Sequence, residues 1–123
     1  MRFSFALVAL SLAACATAPS PPADGIARAG LDQRVYVDGP WVTPLTVIED
    51  SRCPTGVQCV WAGRTRVTVR IDLGSRSEIR ELSSDEPLQV ADGTLSLVEV
   101  QPAPSTDVQP GAYRFGMRFA GGI

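Results

Sequence analysis

The chain has 123 residues, 45% hydrophobic and 20% charged, with a net charge of −2, which is enough for one small domain. All 11 basic residues are arginine, and histidine, lysine and asparagine do not occur. That composition excludes Ser-His-Asp and Cys-His catalysis, imidazole metal sites, Schiff-base lysines and phosphate-loop lysines. Three cysteines cannot form a four-thiolate zinc centre. An acidic chain also lacks the basic face that nucleic-acid binders carry.

Residues 1–14 have the layout of an export signal, with Arg2 in a short positive region followed by the apolar run Phe3 to Leu12. As a helix that run covers about half a bilayer, too little for a transmembrane anchor. It ends in Leu12-Ala13-Ala14-Cys15, which resembles the lipobox of bacterial lipoproteins. The resemblance implies cleavage after Ala14 and acylation of Cys15, so that membrane lipid becomes the first partner. An ordinary secretory signal with an incidental Cys15 is the alternative. Ala16, rather than Asp, after the cysteine implies the outer membrane, facing the periplasm, in a Gram-negative host. Residues 15–32 then read as the lipidated cysteine and a tether. Ala16 to Gly25 is small and rich in proline with nothing to bury, and residues 26–31 either extend the tether or start the fold.

Residues 33–121 read as one β domain. Val67, Val69, Ile71 and Leu73 alternate with Arg66, Thr68, Arg70 and Asp72. Tyr113, Phe115, Met117 and Phe119 alternate in the same way with Arg114, Gly116, Arg118 and Ala120. Asp92-Gly93 is the signature of a type I′ hairpin that sets Val90 against Leu95 and Leu88 against Leu97. Weaker strands are expected at Arg34 to Val37, Val42 to Ile48 and Glu78 to Leu82. The fold class is all-β: a small antiparallel sandwich or barrel of six to seven strands.

Cys53 and Cys59 enclose Pro54-Thr55-Gly56-Val57-Gln58, and export would place them in an oxidising compartment, so a disulfide is expected. Closing so short a loop contributes ~2.5 kcal/mol on the chain-entropy estimate. The alternative is a two-cysteine copper(I) site, but Met117, the only methionine outside the signal segment, lies on an apolar strand face. No metal or cofactor is therefore expected.

The stretch Glu49 to Gly63 is the most distinctive in the chain. It resembles a group of uncharacterised bacterial lipoproteins that carry Asp-Ser-Arg-Cys-Pro, four residues, Cys, one residue and Trp-Ala-Gly. The residues matching that signature here are Asp50 to Pro54, Cys59 and Trp61 to Gly63. The resemblance implies an exported β domain and carries no activity or site residues with it.

Asp50, Arg52 and Trp61 are the candidate recognition residues. For Asp50 and Arg52 the competing expectation is structural: Asp50 or Ser51 caps a turn while Arg52 pairs with a neighbouring acid. For Trp61 it is burial against the disulfide, in which case Trp61→Ala costs ~3–5 kcal/mol. Glu49 and Asp50 are adjacent and point to opposite faces of a strand, which is poor geometry for a glycosidase carboxylate pair. A calcium site using Glu49, Asp50 and nearby carbonyls is a further alternative, although no spaced acidic loop is visible. Arg66 with Arg70 and Arg114 with Arg118 would form a cationic patch only if their strands were neighbours. The expected function is a lipid-anchored envelope protein, not an enzyme, that binds an envelope protein or glycan or serves as a structural module. The alternatives are an inhibitor-like module presenting the Cys53–Cys59 loop to an enzyme, or a small carboxylate-dependent hydrolase.

Overall fold

The computed structural model describes residues 23–121. The signal segment 1–14, the lipidation site Cys15 and the tether as far as Pro22 lie outside the described residues.

Eight strands alternate along the described chain: β1 (Ala27–Ala29), β2 (Val35–Tyr36), β3 (Trp41–Asp50), β4 (Thr65–Leu73), β5 (Arg76–Ser83), β6 (Leu88–Val90), β7 (Gly93–Gln101) and β8 (Arg114–Gly121). They form two four-stranded antiparallel sheets, β1-β8-β7-β6 and β2-β3-β4-β5. The sheets pack face to face as a sandwich and do not close into a barrel.

The period-two segments supply the centre of each sheet. Val67, Val69 and Ile71 of β4 and Phe115 and Met117 of β8 are fully buried, while Arg70, Arg114 and Arg118 face solvent. Val42, Leu82, Val90, Leu95 and Leu97 complete the core between them.

Three details depart from expectation. The fold begins at Ala27, inside the segment 15–32 assigned to the tether, because β1 pairs with β8 and buries Ala27 and Ala29. Two alanines fill the narrow space at the sheet edge without leaving an apolar signal in the sequence. The β6–β7 hairpin turns one residue earlier than Asp92-Gly93: Val90 pairs with Gly93 and Leu88 with Leu95, so Ala91 and Asp92 form the turn. Ala91 takes φ of 52° and Asp92 does not adopt a positive φ, which is the II′ rather than the I′ pattern. Gly93 serves packing instead, since a Cβ there would lie 2.4 Å from the Phe119 ring. The slip moves the pairing sum by two residues, so parity is kept and the apolar face stays apolar.

The third departure separates the paired arginines. β4 and β8 lie in different sheets, so Arg66 and Arg70 share no face with Arg114 and Arg118 and no common patch forms. Arg66 is engaged by Glu81 and Glu49 instead.

Candidate functional site

One end of the sandwich gathers the close of β3, the start of β4, the close of β7 and the start of β8. Two bulges bring β3 there in the required register. Pairing with β4 skips Leu45 and then Ile48, so Glu49 opposes Arg66 on the outer face and Asp50 opposes Thr65 on the inner one.

Asp50 is the centre of a clasp between the sheets. Arg52 grips its carboxylate with two donors, Nε to Oδ1 at 2.7 Å and Nη2 to Oδ2 at 2.9 Å. The Tyr113 hydroxyl, from the residue just before β8 of the other sheet, donates to Oδ2 at 2.7 Å. Arg52 Nη1 donates to the carbonyls of Val100 and Pro102 at 3.2 and 3.0 Å, reaching the end of β7. The two charged side chains are only 14% and 15% exposed. Arg52 and then Tyr113 hold the Asp50 carboxyl below its usual range, against the opposing effect of burial. Burial, followed by the bond to Asp50, pushes the Tyr113 hydroxyl up to about 12.

Glu49 faces the other way. Its carboxylate accepts from Ser51 Oγ at 2.8 Å, Arg64 Nε at 3.2 Å and Arg66 Nη1 at 3.3 Å. Ser51 and then Arg64 keep it below the usual carboxylate range. The two acids are therefore ionised, separately neutralised and on opposite faces, as their adjacency on a strand dictates. Among the described residues, no three His, Cys, Asp or Glu side chains converge as metal ligands.

From this clasp the chain leaves the sheet and returns to it. Ser51 N–H donates to Arg64 O, and Arg64 N–H donates to Ser51 Oγ, closing the base of the excursion. Gly63 permits that closure: a Cβ there would sit 1.6 Å from the Ser51 carbonyl oxygen. Within the excursion a disulfide joins Cys53 and Cys59, whose Cα atoms are 5.9 Å apart. Both thiols are thus taken up in a covalent bond rather than left for copper. The loop docks on the β7–β8 connection through Thr55, whose N–H and hydroxyl both donate to Pro104 O, at 3.1 and 3.2 Å.

What the loop exposes overturns one expectation. Trp61 is 65% exposed rather than buried against the disulfide, and beside it Val60 is 93% and Val57 54% exposed. The core is filled by Val67, Val69, Leu82 and Phe115, and Trp61 lies in the connection between β3 and β4, outside both sheets. Of the three candidate recognition residues, Asp50 and Arg52 are internal and committed to the clasp, and only Trp61 faces outward. Val57 and Val60 join it. Their signal in the sequence was an apolar run, Val60-Trp61, in a stretch with no strand or helix period.

Between residues 53 and 63 and between 102 and 112 the only charged side chain is Asp107, in a chain that is 20% charged. Arg52 and Arg64, both paired with acids, border the first segment. Pro54, Thr55 and Val57 on one side and Ala103, Pro104, Ser105 and Thr106 on the other line an open groove of about 490 Å³.

Comparison with family models, with curated proteins and with solved structures found no match.

Proposed function

We propose that this chain is a lipid-anchored envelope protein whose β domain is a binding module, with the disulfide loop around Trp61 as its docking surface for a protein partner. The exposure of Trp61 carries the reading. A solvated indole beside two exposed valines, on a loop held by a disulfide and an ion-pair clasp, is a costly arrangement for a surface with nothing to bind. Depletion of charge with an aromatic at the centre is the composition of an interface core. The pre-formed loop also loses little conformational freedom on docking.

The direction of the chain supports the same reading. β1 runs toward the loop end, since Ala27 pairs with Met117 and Ala29 with Phe115. The residues before it therefore come from the opposite end, where Arg118 donates to the Asp24 carbonyl at 3.3 Å. Residues 24–26 thus enter the sandwich away from the loop, which supports a reading in which an anchored chain leaves Trp61 accessible. A general-acid role for Glu49 or Asp50 finds no support, since both carboxyls are lowered and each is already paired with arginine.

The test is affinity capture from envelope extracts with the full mature chain, comparing wild type with Trp61→Ala. The partner retained by wild type is expected to be lost from the variant. Its retention is also expected to survive ~1 M salt, where the screening length is about 3 Å, because no charge pairs are used. Equal capture by both chains overturns the reading.

A further inference from the structure

We propose that the groove beside the disulfide loop is a receptor site for an uncharged peptide segment, which seats one aliphatic or aromatic side chain between Pro54 and Pro104. This rests on the docking role given above to Trp61 and deepens it by stating what the partner presents.

The seven residues lining the groove carry no charge, so a charged group entering it would give up hydration and gain no partner. Main-chain pairing is also closed off on the loop wall. Pro54 and Pro104 have no N–H, Val57 N–H is spent on Pro54 O at 3.1 Å, and both Thr55 donors are spent on Pro104 O. An occupant thus finds no free main-chain donor on the loop wall, and strand addition to that wall is not the mode. The Thr55–Pro104 bonds tie the two walls together, so the width of the groove is set before anything enters it. Its volume of about 490 Å³ suits one large side chain and its flanking backbone.

Charge and area exclude the other occupants. An anionic lipid headgroup meets no cation in residues 53–63 or 102–112, and the bordering Arg52 and Arg64 are already paired with Asp50 and Glu49. Val57, Val60 and Trp61 expose on the order of 400 Å² between them, about half the ~800 Å² per partner of a stable interface. A second copy offering the same patch would fall short, whereas a partner that also fills the groove adds the missing contact.

The test is an amide-resolved NMR titration of the mature chain, disulfide intact and carrying Cys15→Ser so that it stays in solution. The probes are capped glycine pentapeptides with Phe, Leu, Glu or Arg at the centre, taken to millimolar concentration. The Phe and Leu peptides are expected to shift the amides of Thr55, Val57, Ala103 and Thr106. The Glu and Arg peptides should bind at least tenfold more weakly, and Ala103→Glu, at an exposed position, should abolish the Phe response. Shifts confined to Val60 and Trp61 overturn the groove and leave docking by Trp61 standing; no shift with any peptide overturns both. Equal response to Glu or Arg overturns the assigned chemistry. Broadening of the loop amides by phosphatidylcholine vesicles, with no peptide response, overturns the proposal in favour of a lipid surface.

Discussion

Phe115 and Trp61 are both aromatic, yet one lies at the centre of the core and the other stands in solvent. Their energetics should differ accordingly. Phe115→Ala empties a fully buried site and is expected to cost ~3–5 kcal/mol. Trp61→Ala removes a mostly solvated side chain and should stay within about 0.5 kcal/mol of wild type. Urea denaturation followed by far-UV circular dichroism measures both, and a loss above ~2 kcal/mol for Trp61→Ala would mean that the indole is packed. Tyr113 offers a second test at this scale. Its hydroxyl ionises at about 12 in the fold against an ordinary 10.0. A pKa raised on folding contributes stability that is full below pH 10 and is lost as pH climbs through about 12. Asp50, lowered on folding, contributes above its ordinary value of 3.8, and that contribution is lost as pH falls through and below it. The urea midpoint should therefore drop at both extremes, and Tyr113→Phe should flatten the alkaline limb. A Tyr113 that ionises near pH 10, read by tyrosinate absorbance, contradicts its burial and its bond to Asp50.

Among the elements, those with one clean period could be read directly from the sequence. β4 and β8 each place apolar residues on alternate positions against the core, and nothing in either interrupts the count. Where an element departs from its period, the sequence hid it. β3 carries two bulges, so Val42 and Pro44 face inward at even positions, Val47 at an odd one, and Asp50 at an even one again. β5 reads as a weak strand because its core-side positions, opposite Ile71 and Val69, are Glu78 and Arg80, while Ile79 faces out and is exposed. Inward charges on an edge strand block edge-to-edge pairing at the cost of a legible pattern. Trp61 stands between Cys59 and Gly63 in sequence, which suggests a packed position, but Gly63 is needed for another purpose. It lets the returning chain pass against the Ser51 backbone. Gly63→Ala is accordingly expected to cost ~2–3 kcal/mol or more through forced displacement of that backbone. Gly56→Ala, at φ of 85° with open space around it, should cost only about 1 kcal/mol, from φ strain alone. Thermal melts of the two variants compare them, and equal losses contradict the close approach at Gly63.

At the scale of the whole molecule, the two ends of the sandwich differ in use. One receives the N-terminal segment, and the other carries the clasp, the disulfide and the uncharged apolar loop. If the chain is anchored as its lipobox resemblance implies, Cys15→Ser should move it from the membrane fraction to the soluble fraction. A variant that still sediments with membranes after a high-salt wash contradicts acyl anchoring. The docking role proposed for Trp61 requires contact with a partner protein. Its most direct test is photocrosslinking in intact cells, with a photoreactive phenylalanine analogue at position 61 or at position 79. Ile79 is a fair control because it is 55% exposed on the outer face of β5, away from the loop. One discrete protein adduct is expected from position 61 and none from position 79. No adduct at 61, or the same adducts from both positions, contradicts that role.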